Sequence, residues 1–333
     1  MSIVEIADDT DLALLRELSL NGRESLTRLA EKLLLSKQRL GYRLRGLQRR
    51  GVLTGFFAIP NIFRLGFDHF RVFVKFQHLS ETRERELLDH LVTRSEVSWL
   101  TQLDGDFDLE FVVWAQGVPA FEAAYDDILG QFGSLFQERY FSLATRIEFF
   151  PWRFLALKVP AEGAPAAGEA GAPIVLENSG GALGIDPIDR RLLAELSRNG
   201  RLSLAALGER CRIPSTTAAL RLRALRRSGA VAGFGAKIDH ELLGWIYRKV
   251  FLQLENPSGD VLARLHSWLR RQPEVIFLVK TSGAYDLEVE LMTRASGDFF
   301  AFKRRLRTTF AADLAGLRSV IVHRELKYGQ YPA

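Results

Sequence analysis

Along the first sixty residues, leucines recur at helical spacing. Leu14, Leu15 and Leu18 fall on one face of a first helix, Leu26, Leu29 and Leu33 mark a second, and Leu40, Leu44 and Leu47 a third. Gly51 stands just past the third helix, where a glycine cap is expected. The short apolar runs Val52-Leu53 and Phe56-Phe57 that follow fit a two-stranded wing. Later the period changes. In the second half of the chain, residues 248–254 read as a strand with Val250, Leu252 and Leu254 on one face, and 260–271 as a helix. Residues 275–280 and 286–292 are strands joined by Thr281-Ser282-Gly283-Ala284-Tyr285, 298–310 a helix and 317–326 a last strand. The order βαββαβ is that of a ferredoxin-like sandwich, and residues before the midpoint follow the same order.

The chain is written twice, with a shift of 178 residues. Asp8, Asp11, Leu14, Leu15, Leu18, Asn21, Gly22 and Arg23 reappear as Asp186, Asp189, Leu192, Leu193, Leu196, Asn199, Gly200 and Arg201. Thirteen of the 22 positions from 8 to 29 are identical, which establishes a repeat rather than a chance match. The shift also relates Arg43-Leu44-Arg45 to Arg221-Leu222-Arg223, Gly51 to Gly229, Gly55-Phe56 to Gly233-Phe234, and Asp108-Leu109-Glu110 to Asp286-Leu287-Glu288. Asp186-Pro187 opens the second copy's first helix with an N-cap and a proline at the first helical position. Between the copies, residues 159–184 are rich in Pro, Ala and Gly and are expected to form a mobile linker with a span of about 28 Å. The expected division is therefore α+β: helix-turn-helix 1 (1–62), αβ domain 1 (63–158), linker (159–184), helix-turn-helix 2 (185–240) and αβ domain 2 (241–333).

Charge sharpens this picture. The 333 residues carry a net charge of +5, and the single cysteine, Cys211, rules out disulfides and a thiolate metal site. No signal peptide or apolar span is expected, and the usage fits a cytoplasmic, nucleoid-associated protein with no cofactor and no metal. From residue 32 to 67 there is no Asp or Glu, and from 210 to 240 the one acid is Asp239. Each stretch is dense in arginine, and cations cleared of carboxylates suit a line of phosphates. Expected DNA contacts are Ser36, Lys37, Gln38, Arg39, Tyr42, Arg43, Arg45 and Arg49 in the first copy. In the second they are Ser215, Thr216, Thr217, Arg221, Arg223 and Arg227. The first residues of each third helix would meet base edges. Arg43→Ala is expected to weaken binding to all sequences and to lower the salt slope by about one. A lone basic run is as readily a solvated helix face; its recurrence in both copies favours nucleic acid.

These motifs resemble the leucine-responsive/asparagine-regulator (Lrp/AsnC) family. The resemblance rests on Asp11-x-x-Leu14-Leu15, Asn21-Gly22-Arg23, Arg43-Leu44-x-x-Leu47, Gly51-Val52-Leu53-x-Gly55-Phe56, Leu65-Gly66 and Gly105-Asp106-Phe107-Asp108, with Pro273-Glu274-Val275 and Ser282-Gly283-Ala284-Tyr285-Asp286 in the second copy. It covers nearly everything outside the linker. It implies a winged helix-turn-helix followed by a RAM-type αβ sandwich that pairs through its sheets and binds a small effector, often an amino acid. A single chain holding two copies is then a covalent pseudo-dimer. Effector contacts implied by the resemblance are Asp104, Gly105, Asp106 and Asp108, with Thr281, Ser282, Gly283, Tyr285 and Asp286. Read as residues alone, a glycine in such a turn can simply supply positive φ. The recognition helices differ, Ser-Lys-Gln-Arg against Pro-Ser-Thr-Thr, so the expectation is either two unlike half-sites or one module that binds weakly or not at all. The rival class is a siroheme decarboxylase-like enzyme on the same duplicated fold. Such enzymes carry a His-Asn-Tyr-x-Arg-like segment where this chain has Trp99-Leu100-Thr101-Gln102 and Phe277-Leu278-Val279-Lys280.

Overall fold

A computed structural model describes residues 6–156, 172–177, 181–329 and 331. The first module comprises α1 (Asp9–Leu20), α2 (Leu26–Lys32), α3 (Lys37–Arg49) and the strand β1 (Leu53–Pro60). The αβ domain that follows runs β2 (Asp68–Phe76), α4 (Glu81–Thr93), β3 (Val97–Gly105), β4 (Leu109–Ala115), α5 (Val118–Phe132) and β5 (Phe136–Phe149). After the short strand β6 (Ile174–Glu177) the plan repeats as α6 (Pro187–Arg198), α7 (Leu204–Cys211), α8 (Ser215–Arg227) and β7 (Val231–Ile238). It ends with β8 (Ile246–Leu254), α9 (Gly259–Arg270), β9 (Val275–Gly283), β10 (Leu287–Thr293), α10 (Ser296–Thr309) and β11 (Leu314–Lys327).

Local chemistry sets the helix ends. The side chains of Asp8, Ser25, Ser36, Asp186 and Ser203 each accept a hydrogen bond from a backbone N–H of the first turn. Gly51 and Gly229, with φ of 76° and 77°, end the recognition helices. Leu14, Leu15, Leu18, Leu29, Leu40 and Leu47 are fully buried together, as the leucine spacing predicts.

The two αβ domains share one sheet. Each contributes four strands in ferredoxin-like order, β5-β2-β4-β3 and β11-β8-β10-β9, and the two sets join through β3–β11 and β9–β5. Because β2 also pairs with β5, the eight strands close on themselves as a barrel. The joining strands are long: residues 136–144 of β5 pair with β2 and 142–149 with β9. Helices α4 and α5 cover the outer face of one half, burying Leu87, Leu91, Phe121 and Ile128 on Val72 and Val113. Helices α9 and α10 do the same for the other half. The inner faces of both halves meet across the barrel, where Phe73, Phe107, Phe251 and Tyr285 pack ring against ring.

Two features differ from expectation. The wings are not separate hairpins: β1 of the first module pairs antiparallel with β7 of the second, Phe57 opposite Gly235, so the wing strands bind the modules to each other. The linker is also shorter than composition implies. Ile174–Glu177 pair with β5, Leu176 is buried, and the Leu183 N–H donates to the Arg64 carbonyl. The strand is apolar enough to be captured by an open sheet edge, although Pro, Ala and Gly surround it. The expected mobility of the rest falls on residues 157–171 and 178–180, outside the described residues.

The repeated Asn-Gly-Arg motif fastens the pair of modules. The Gly22 N–H donates to the Phe234 carbonyl, and that of Gly200 to the Phe56 carbonyl, both at 2.8 Å. Arg23 donates to the carbonyls of Gly200 and Leu202 and lies over the Phe234 ring; Arg201 donates to those of Gly22 and Glu24 and lies over Phe56. Glycine is required by close approach: a Cβ on Gly22 would run into the Gly235 carbonyl oxygen, and one on Gly200 would sit 2.7 Å from the Phe57 backbone. Gly22→Ala is therefore expected to destabilise the chain by about 1–3 kcal/mol through overpacking, read as a lowered thermal midpoint. Gly130→Ala, where the added carbon meets nothing within 4 Å, should not lower it.

Candidate nucleic-acid interface and barrel interior

Helix α3 buries Leu40, Gly41, Leu44 and Leu47 and turns Lys37, Gln38, Arg39, Tyr42, Arg45 and Arg49 to solvent. Tyr42 is 65% exposed. None of Lys37, Arg39, Arg45 and Arg49 has a carboxylate partner among the described residues. In α8, Ser215, Thr216, Arg223 and Arg227 are exposed, Thr217 is half-buried, and Leu220 lies out in solvent at the position equivalent to Tyr42. The Arg223 guanidinium folds back onto the Ala219 carbonyl. Ser36 caps its helix through its hydroxyl and is exposed.

Arg43 and Arg221 do not face outward as expected. Arg43 Nη1 sits 2.8 Å from Asp8 and 2.9 Å from Asp11, and Arg221 repeats this with Asp186 and Asp189. Arg50 adds a second bond to Asp11. The repeated Asp-x-x-Asp of the first helix is thus the partner of the repeated arginine of the third. These arginines hold the recognition helix against the first helix, which explains why all three positions recur together.

The two Gly-x-aromatic-Asp turns lie where the domains join. Gly105 (φ 127°) backs onto β11 and Gly283 (φ 130°) onto β5, each too close to a partner carbonyl to accept a Cβ. Asp106 accepts from the Ser319 N–H, Asp108 from the Phe76 N–H and from Lys75, and Asp286 from the Leu254 N–H. Thr281 donates its hydroxyl to the Tyr285 carbonyl, so it is not available to a ligand as expected. The Tyr285 ring is buried in the barrel, and burial pushes its hydroxyl up to about 12. Asp104 and Ser282 are exposed.

Sequence reasoning missed the barrel's ion cluster. Arg71 contacts Glu110 (2.8 Å), Glu288 (2.9 Å) and Glu290 (3.0 Å). Lys249, the equivalent of Arg71 and wholly buried, contacts Glu110 (2.6 Å) and Glu288 (2.8 Å) and lies over the rings of Phe73, Trp99 and Phe251. Tyr247 donates to Glu290. Burial pushes the Glu110 carboxyl up, against the pull of Lys249 and Arg71. The signal was present: inward-facing charges interrupt apolar strands, as in Leu287-Glu288-Val289-Glu290-Leu291. Beside the cluster lies a cavity of about 100 Å3, and next to it a cleft of about 460 Å3 between the wing strands and the barrel, holding Lys237, His240, His323 and Arg324.

Residues 8–48 match the AsnC-type helix-turn-helix domain, and residues 185–232 a winged helix-turn-helix DNA-binding domain. The HTH-type transcriptional regulator FL11 of Pyrococcus horikoshii is 29% identical over 118 residues, 35% of this chain and 77% of that protein. The DNA-binding transcriptional activator DecR of Escherichia coli is 28% identical over 145 residues, 43% of this chain and 95% of that protein. These relatives match about one copy each. The crystal structure of the siroheme decarboxylase NirDL matches the whole plan: TM-score 0.61 at 13% identity, covering 98% of this chain and 95% of that one. That likeness shows the duplicated fold alone. The chain thus carries an AsnC-type helix-turn-helix at residues 8–48 and a winged helix-turn-helix at residues 185–232, set in a fold written twice in tandem.

Proposed function

We propose that this protein is a sequence-specific, double-stranded-DNA-binding transcription regulator of Lrp/AsnC type, acting on the nucleoid and responsive to a small effector such as an amino acid. One observation carries the reading: two exposed, carboxylate-free recognition helices are held in one unit by the shared wing sheet and the Asn-Gly-Arg lock. A pair of modules fixed to each other would bind DNA without an ordering cost at each encounter. The unlike first turns, Lys37-Gln38-Arg39 against Ser215-Thr216-Thr217, fit two different half-sites. For an effector, Asp104, Asp106 and Ser282 are turn side chains open to solvent, and of these Asp106 already accepts from the Ser319 N–H. Genomic footprinting with the purified protein tests the reading. The expected result is protection of discrete asymmetric sites, with affinity falling steeply as salt rises. Uniform, site-free protection, or none at about 50 mM salt, would overturn it.

A second reading, an enzyme acting on siroheme, draws on the cleft of about 460 Å3, within the roughly 300–1,000 Å3 of ligand pockets. The positions expected to carry a histidine hold Trp99, which donates to Glu325, and Phe277, which lines the cavity. A protein whose absorbance spectrum is unchanged by added siroheme would discard this reading.

A further inference from the structure

In the ion cluster Glu110, Glu288 and Glu290 stand against Arg71 and Lys249, and a fourth acid, Glu325, lies near it. Glu325 is not part of the cluster. It has no ion-pair partner among the described residues, and its Oε1 accepts one hydrogen bond, 2.8 Å from Trp99 Nε1. It is exposed to solvent and lines both the cavity and the cleft. Trp99 faces it from β3, Lys237 from β7, Tyr247 from β8, Glu290 from β10, and Tyr328 just past β11. Lys237 lies over the Tyr328 ring rather than against the carboxylate. The protein packed around its inner side, with Glu290 adding to it, pushes the Glu325 carboxyl up to about 7, against the pull of Trp99 and Lys237.

A second, independent group points into the same cavity. His69 is buried, and its Nδ1 accepts from Trp114 Nε1 at 3.1 Å, which assigns the ring proton to Nε2. Nε2 has no partner among the described residues. Burial, with Arg71 and Lys249 nearby, holds the ring well below its usual pKa and therefore neutral. Between this idle donor and Glu325 the walls are largely aromatic, among them Trp99, Phe149, Tyr247, Phe277 and Tyr328. Ring faces attract cations, and an unpaired carboxylate at the cavity wall adds its charge to that attraction.

We infer that this cavity binds a small organic ammonium compound carrying a hydrogen-bond acceptor, with its ammonium group against Glu325 and its acceptor at His69 Nε2. The volume of about 100 Å3 limits the ligand to a few heavy atoms. The ligand's charge replaces the proton that Glu325 otherwise holds, so binding below neutrality expels that proton. The site does not depend on whether the recognition helices meet DNA, and it is read without DNA.

The test is titration calorimetry of the full chain with ethanolamine, and with ethylene glycol as the uncharged counterpart. Ethanolamine is expected to bind at about pH 8. At about pH 6 binding should be about tenfold weaker, with proton release visible between buffers of different ionisation heat. Glu325→Gln should bind at least about tenfold more weakly at the higher pH and lose the pH dependence, its fold checked by circular dichroism. No binding of ethanolamine at the higher pH overturns the inference. So does equal binding of ethylene glycol, or an unchanged affinity in a folded E325Q. Should E325Q not fold, absence of proton release from the unaltered chain at the lower pH overturns it equally.

Discussion

Lys249→Met is expected to destabilise the chain by about 3–5 kcal/mol, because it strands buried carboxylates that methionine cannot neutralise. Methionine fills a similar volume and keeps the packing on Phe73 and Phe251, so the loss isolates charge rather than packing. Glu110 and Glu288 lose their nearest cation, at 2.6 and 2.8 Å. The measurement is urea unfolding at constant pH. Two further outcomes make the assignment specific. Adding Glu110→Gln to the methionine variant should restore part of the loss, since one orphaned charge is removed with it. The deficit should also shrink as pH falls from about 8 to about 5. Burial already raises the Glu110 pKa, and without Lys249 it rises further, so the folded variant takes up a proton that the unfolded chain binds only at lower pH. A loss below about 1 kcal/mol would show that the cluster is a tolerated ornament of the barrel.

The triple change R45A/R49A/R227A is expected to lower DNA affinity by about two to three orders of magnitude at about 0.1 M salt. The slope of log K against log salt should become shallower by about 2.7, or about 0.9 for each phosphate no longer neutralised. All three side chains are exposed and lack carboxylate partners among the described residues, so folding should be unaffected. Arg43→Ala supplies the contrast. Its guanidinium is tied to Asp8 and Asp11, so the variant should lose stability in the first module while the salt slope stays unchanged. A slope that falls in R43A and not in the triple variant would reverse this assignment of roles.

Much of the fold was legible in the sequence because it is local. The leucine spacing of α1 to α3, the caps at Gly51 and Gly229 and the βαββαβ order each depend on residues a few positions apart. The duplication was legible because equivalent positions do equivalent work, as Arg43 with Asp8 and Asp11 repeats in Arg221 with Asp186 and Asp189. What could not be read depends on partners far away along the chain. Gly22 looks like any turn glycine until Gly235 is placed against it. Phe56-Phe57 looks like half of a hairpin until β7 arrives. The outward face of α3 was judged from helical geometry, which cannot show that a long arginine bends back to its neighbour. The candidate turns carried a motif whose polar groups the barrel joints themselves use.

The barrel interior follows from two halves that have ceased to be alike. His69, Arg71, Val112 and Ile147 of the first copy occupy the places of Tyr247, Lys249, Glu290 and Glu325 in the second. Two first copies pairing with each other would set two arginines against two glutamates. Two second copies would crowd four carboxyls, Glu288 and Glu290 from each, around two lysines, an assembly that no low-dielectric space would tolerate fully ionised. A covalent tether makes the mixed pairing intramolecular and so favours it over both symmetric ones. Once self-pairing no longer had to work, one half was free to accumulate acids that only its unlike sibling can neutralise, and separately expressed halves should seek each other rather than themselves.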